Sequence, residues 1–261
     1  MKSDARQAAS DLLYDLWVGG RHIDQLPLEL RPVTRADGYA IQALIERRSS
    51  SPLFGWKIAA TSAAGQAHIR VDGPLAGRIL AERVIENDGA CPLQGNLMRV
   101  AELEFAFRMA HDIVPRPKPY TVAEVMREVA TLHPAIEMPD SRLAGFAHAG
   151  AAALIADNAC AHDFVLGAAC PPLWRSLDLA THEMWGYIGD RPPRAGVGSN
   201  ALGDPRVALT WLANELSEHG MTLRAGEVVT TGTCLVPLTA EAGERLQGDF
   251  GVLGQVSVTF A

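Results

Sequence analysis

The segment Val100-Ala101-Glu102-Leu103-Glu104-Phe105-Ala106-Phe107 decides how the chain is read. It alternates with a period of two, so a strand here places Ala101, Leu103, Phe105 and Phe107 on one face and Glu102 and Glu104 on the other. Carboxylates two residues apart on one face lie about 7 Å from each other. Both can therefore converge on one hard cation at about 2.1 Å each. The same pattern also describes a strand whose outer face is wet, and taken alone it does not choose between the two.

Working outward, Leu132-His133-Pro134-Ala135-Ile136-Glu137-Met138-Pro139-Asp140 sets a lone Glu137 among apolar residues between two prolines. A buried carboxylate is costly unless it is paired, protonated or bound to a metal. Three glutamates meeting at one point would form an oxygen site with open positions, suited to Mg²⁺ or Mn²⁺ rather than zinc. Toward the N-terminus, Gly55-Trp56-Lys57-Ile58-Ala59-Ala60-Thr61 reads as a strand with Lys57, Ala59 and Thr61 on one face. Lys57 is either an edge residue that snorkels to water or a fixed cation beside a developing anion.

The remaining elements frame these three. Apolar residues at helical spacing from Ala5 to Val18 predict a helix closed by Gly19-Gly20, and Thr34 caps a second helix reaching Arg48. These helices are expected to form an N-terminal cap, residues 1–52, ahead of a catalytic body, residues 53–261. Strands are expected at Pro134–Met138, His162–Ala168, Thr181–Ile188, Glu227–Thr233 and Gly254–Phe260 as well as around Lys57 and Glu102. Helices are expected at 62–69, 121–130, 147–158 and 205–219, with Gly196-Val197-Gly198 a flexible loop. Strands outnumber helices without strict alternation, which predicts a mixed α+β body rather than a TIM barrel.

Composition narrows the function. The 261 residues carry 23 Lys and Arg against 30 Asp and Glu, a net charge of -7, with basic residues scattered. That balance argues against nucleic acid as a partner. No apolar run approaches the roughly 18 residues of a membrane span, and no secretion signal opens the chain. Cys91, Cys160, Cys170 and Cys234 are dispersed, as expected of reduced, buried cysteines in a cytoplasmic protein. There is no G-x-S-x-G elbow, phosphate loop or H-E-x-x-H helix. A small-molecule ligand with a cation is the expectation.

In order and spacing, Gly55-Trp56-Lys57-Ile58 with Thr61, Ala101-Glu102-Leu103-Glu104, Ala135-Ile136-Glu137 and Ile155-Ala156-Asp157-Asn158 resemble the hydratase/decarboxylase family of the fumarylacetoacetate hydrolase superfamily. Leu202-Gly203-Asp204-Pro205, Leu223-Arg224-Ala225-Gly226-Glu227, Thr231-Gly232-Thr233 and Gly248-Asp249-Phe250 extend the resemblance over nearly the whole chain. It implies an α+β fold in which a mixed, curled β-sheet, an incomplete barrel, surrounds a central helix behind the helical cap. It also implies Glu102, Glu104 and Glu137 as ligands of Mg²⁺ or Mn²⁺, Lys57 and Asp157 as catalytic residues, and Lys57, Thr231 and Thr233 as substrate contacts. The implied chemistry is hydration of 2-hydroxydienoates such as 2-hydroxypenta-2,4-dienoate in the meta-cleavage pathway of aromatic catabolism. Decarboxylation of a vinylogous 2-oxo diacid and a non-catalytic partner subunit are the alternatives. A cytoplasmic homo-oligomer, alone or paired with a paralogous decarboxylase or hydratase, is implied as well.

Family hydratases often carry Pro-Asp-Phe-Gly after the short helix that follows the lysine strand, whereas this chain has Pro74-Leu75-Ala76-Gly77. The carboxylate expected beside the substrate is therefore missing. His68 and Arg70 lie nearby, but read as a solvent-facing helix end. A diacid substrate would call for a further basic contact, for which Arg70, Arg78 and Arg142 are the candidates.

Overall fold

Two ten-residue strands, Val100–Met109 and Val129–Met138, run antiparallel through the centre of the molecule and fix its layout. The computed structural model describes residues 1–261. In chain order the elements are α1 (Ser3–Val18), α2 (Arg35–Gln42), β1 (Gly55–Ala59), α3 (Ala63–Ile69), β2 (Leu75–Ile79), β3 (Val84–Ile85), β4 (Ala90–Cys91) and β5 (Val100–Met109). They continue with α4 (Val122–Arg127), β6 (Val129–Met138), α5 (Ala151–Ala156), β7 (Asp163–Leu166), β8 (Glu183–Ile188) and β9 (Arg194–Val197). The last are α6 (Pro205–Glu218), β10 (Val228–Thr230), β11 (Leu238–Thr239), β12 (Arg245–Asp249) and β13 (Gln255–Phe260). No helix is long and apolar enough to cross a membrane.

The larger sheet is ordered β2-β1-β10-β5-β6-β7-β3, with β11 also pairing with β5, and the smaller is β4-β13-β12-β8-β9. The pairs β1–β10, β3–β7 and β4–β13 are parallel and the rest antiparallel. This is the mixed, strongly curled sheet that the resemblance implies. Leu103, Phe105 and Phe107 are fully buried in one core with Leu209, Leu212 and Leu216 of α6. Asp204 caps α6 by accepting from Arg206 N at 2.7 Å, Pro205 sits in its first turn, and Gly220 at φ +70 follows its end.

Several boundaries differ from the sequence reading. The helix expected over 121–130 stops at Arg127, because Val129 already belongs to β6. The helix expected to reach Arg48 is α-helical only to Gln42 and finishes as a 3₁₀ turn. Gly196-Val197, expected in a flexible loop, belongs to β9: a Cβ on Gly196 would stand 2.6 Å from Cys234 O, so close backbone packing is what requires glycine there. The N-terminal helices lie directly on the body. Gln42 Nε2 donates to Ala76 O at 2.8 Å and Ile155 O at 2.9 Å, and a Cβ on Gly38 would fall 2.5 Å from Ala152 O.

Candidate active site

Register brings the acidic residues together. Across β5 and β6, Glu102 stands directly opposite Glu137, and Glu104 shares the face of Glu102 two residues on. One carboxylate oxygen from each of the three lies within 4.8 Å of the others. The glutamate face is not wet: Glu104 is fully buried and Glu137 is 2% exposed, while Glu102 opens onto a cavity of about 910 Å³. Lys57, on β1, projects into the same place with Nζ 2.8 Å from Glu137 Oε1 and donates to Ala159 O at 3.1 Å. It is buried, which excludes the snorkelling alternative.

Neighbouring backbone makes room for this arrangement. Gly77 of β2 pairs with Lys57, and a Cβ there would stand 2.3 Å from Asn158 O and 3.1 Å from Lys57 Cγ. Asn158, Ala159 and Cys160 all have positive φ, at 56°, 50° and 60°. Such left-handed residues cost about 1–2 kcal/mol each in L-amino acids. Asn158 holds the turn by strand-like pairing with Arg78: its Oδ1 accepts from Arg78 N at 2.7 Å and its Nδ2 donates to Arg78 O at 2.8 Å. The turn thereby presents the Ala159 carbonyl to the Lys57 ammonium.

The electrostatics follow from burial. Burial pushes the Glu102 carboxyl up to about 7, with the charge of Glu137 adding to the rise and Lys57 opposing it. Burial, then Glu137 and Glu102, holds Glu104 well above the usual carboxylate range, and Glu137 is raised by burial in spite of Lys57. Burial alone would lower the Lys57 pKa, but the charges of Glu137 and Glu102 overcome it and hold the ammonium above its ordinary value. Glu104 Oε2 accepts from the Thr230 hydroxyl and from Gly232 N at 2.8 Å. Glu104 Oε1 and Glu137 Oε2 are buried without a hydrogen bond, and Glu137 Oε1 has only the Lys57 ammonium beside it. Fully ionised, the three carboxylates and one ammonium carry a surplus of two negative charges. Unpartnered oxygens with that surplus fit a divalent, oxygen-seeking cation.

Other expected site residues fall elsewhere. Asp157 does not reach the cavity. Its carboxylate is taken by Arg142 Nε, by Ser141 Oγ at 2.6 Å and by Arg142 N at 3.1 Å, and it is 1% exposed. Asp157, expected among the catalytic residues, forms a buried ion pair with Arg142 that ties the chain after β6 to the end of α5. Thr231 turns away as well, its hydroxyl donating to Phe105 O at 2.9 Å. Thr233 lines the cavity, but its hydroxyl donates to Leu235 O at 2.7 Å. The neighbours on the alternate register, Thr230 and Gly232, are the ones that hold Glu104. Gly232 is required there, with φ +97 and a Cβ that would stand 2.1 Å from Thr61 Oγ1. Leu75, where the family often has aspartate, is 1% exposed within β2. His68 is exposed at the cavity mouth, its ring 5.9 Å from that of Phe146.

No family model matches the chain. It is 32% identical over 261 residues to 2-keto-4-pentenoate hydratase 2 of Dechloromonas aromatica, covering 98% of both chains. It is 29% identical over 263 residues to 2-keto-4-pentenoate hydratase of Paraburkholderia xenovorans, covering 100% of this chain and 96% of that one. In fold it is similar to 4-oxalocrotonate decarboxylase of Pseudomonas putida G7, solved with magnesium and adipate, with a TM-score of 0.91 at 23% identity over 100% of this chain and 99% of the other. With its full-length identity to these hydratases, its curled sheet and its three converging glutamates, the chain belongs to the 2-keto-4-pentenoate hydratase family, within the hydratase/decarboxylase group of the fumarylacetoacetate hydrolase superfamily.

Proposed function

We propose that the chain is a divalent-metal-dependent hydratase, a carbon–oxygen lyase, acting on 2-hydroxypenta-2,4-dienoate or a close analogue to give a 4-hydroxy-2-oxo acid. The observation that carries this reading is the convergence of Glu102, Glu104 and Glu137 beside Lys57, with Glu102 and Lys57 lining one large cavity. The three glutamates would hold the cation, with Mg²⁺ the first choice and Mn²⁺ the second; when bound it supplies Lewis-acid polarisation of the 2-oxo acid oxygens. Lys57 offsets the excess negative charge, so that a substrate carboxylate can approach the glutamates. Thr61 brings a hydroxyl to the wall for a substrate oxygen, while the Asn200 amide donates to Cys234 O at 2.7 Å. In the overall change the proton of the 2-hydroxyl is lost as C5 gains one, giving the conjugated enone. Water then adds its oxygen to C4 and a proton to C3. Asp157 has no part in these transfers; with Arg142 it fixes the wall behind them.

The likeness to hydratases at higher identity than to the decarboxylase supports hydration over CO₂ loss. Homo-oligomeric assembly, a cytoplasmic setting and a place in aromatic meta-cleavage catabolism are finer parts of the same proposal. The test is to incubate the protein with 2-hydroxypenta-2,4-dienoate, and separately with 2-oxohex-3-enedioate, with Mg²⁺ or with EDTA, following ultraviolet absorbance and CO₂. Metal-dependent loss of the dienoate without CO₂ is expected. CO₂ from the diacid would establish the decarboxylase instead, and silence on both would overturn either reading.

A further inference from the structure

We propose that the substrate carries an uncharged, apolar substituent larger than the five-carbon parent acid provides, and that the cavity selects against diacids. This rests on the reading above, that the substrate is a 2-oxo acid or its enol seated at the glutamate end. Away from Lys57 and Glu102 the walls are Leu97, Met98, Leu143, Phe146, Leu235 and Val236. Leu97 and Val236 are 58% and 67% exposed, so the mouth presents large apolar side chains with nothing packed on them. At about 910 Å³ the cavity is near the top of the range of roughly 300–1,000 Å³ that accommodates drug-sized ligands. A five-carbon acid leaves most of it unfilled.

The polar groups along these walls are mostly committed within the protein. Ser62 Oγ caps α3 by accepting from Gly65 N at 3.1 Å, and Ser141 Oγ donates to Asp157 at 2.6 Å. Asp140 accepts from Leu97 N at 2.9 Å through one oxygen and lies 2.9 Å from His22 Nε2 through the other. No arginine lines the cavity. Arg78 is turned onto Glu46 and Gln42, Arg142 onto Asp157, and Arg70 is the exposed C-cap of α3. Apart from Lys57, the only basic side chain on the walls is His68, at the mouth. A second substrate carboxylate would therefore lose water against hydrocarbon, with Asp140 nearby and no guanidinium to meet it.

Two measurements test this separately from the hydratase reading. The first is calorimetric binding of saturated 2-oxo acids in the presence of Mg²⁺, comparing 2-oxopentanoate, 2-oxononanoate and 2-oxoadipate. Burial of even two of the added methylenes gives a gain of about tenfold, so 2-oxononanoate is expected to bind at least tenfold more tightly than 2-oxopentanoate and 2-oxoadipate most weakly. The second is turnover of 2-hydroxypenta-2,4-dienoates bearing hydrogen, n-butyl or carboxylate at C5, with the n-butyl compound expected to show the highest kcat/KM. Val236→Arg, at an exposed position, is expected to strengthen 2-oxoadipate binding and weaken that of 2-oxononanoate. Wild-type 2-oxoadipate binding as tight as that of 2-oxononanoate overturns the inference, as does an unchanged ratio of the two affinities in Val236→Arg. The expected binding order without hydration of any dienoate overturns the hydratase reading alone, and no binding of any 2-oxo acid overturns both.

Discussion

Glu104 concentrates the conflict between folding and function in one side chain. Its carboxylate is fully buried beside two others, with one oxygen held by the Thr230 hydroxyl and Gly232 N and the other without a partner. In Glu104→Gln the remaining carbonyl oxygen can keep both donors, while the new amide can donate toward the neighbouring carboxylates. Removing a buried charge that lacks a counterion at this point is expected to stabilise the metal-free protein by about 1 kcal/mol or more, read as a rise in melting temperature at pH 8. The same variant should lose the stabilisation that Mg²⁺ gives the wild type and about 10²-fold or more of the hydratase activity, the scale of losing one electrostatic partner at a reacting centre. A destabilised variant, or one that still responds to Mg²⁺, would show that Glu104 is a structural acid. The sequence placed Glu104 and Glu102 on one face correctly, because a period of two is a local property. It could not show that Thr230 and Gly232, rather than Thr231 and Thr233, grip the carboxylate, since one residue of register decides that. Nor could it show the left-handed turn at 158–160, where only Asn158 is a residue type that favours such a conformation.

At the scale of elements, long periodic segments were legible and short buried ones were not. α1, α6 and β5 announce themselves through apolar spacing over ten residues or more. β3, β4 and β11 are two residues each, and β2, Leu75–Ile79, is buried on both faces, so neither length nor alternation marks them. α4 is short as well, yet its start is written in the chain as Thr121 and Glu124, which form a reciprocal capping box. The Thr121 backbone N–H, then Arg116 and the Thr121 hydroxyl, pull the Glu124 carboxyl down from 4.5 to about 2. A depressed folded-state pKa stabilises the folded form above the unfolded value, and that contribution disappears as pH falls from 4.5 through about 2. Carboxyl NMR of Glu124 should therefore titrate near 2, with amide protection in α4 declining over the same window. Titration at an ordinary glutamate value would mean that the box does not persist in solution.

For the whole molecule, the site draws its parts from distant stretches of chain: Lys57 of β1, Glu102 and Glu104 of β5, Glu137 of β6, the turn after α5, and Thr230 with Gly232 at the end of β10. A ligand bound there favours the globally folded state over any state in which one of these segments has left. The helical segment 1–52 is linked to the same network, because Gln42 bonds to Ala76 of β2 and Ile155 of α5, and α5 leads into the turn that meets Lys57. Mg²⁺ at about 100 times its dissociation constant contributes about 2.7 kcal/mol, which for a chain of this size corresponds to a rise in melting temperature of roughly 5–10 °C. The rise should be reversed by EDTA. If residues 1–52 unfold with the body, hydrogen exchange should show α2 and β5 gaining the same increment of protection on adding Mg²⁺. Protection gained in β5 but not in α2 would establish residues 1–52 as a separately unfolding unit. No change in melting temperature with Mg²⁺, Mn²⁺ or Ca²⁺ would instead remove the three glutamates from the role of a cation site.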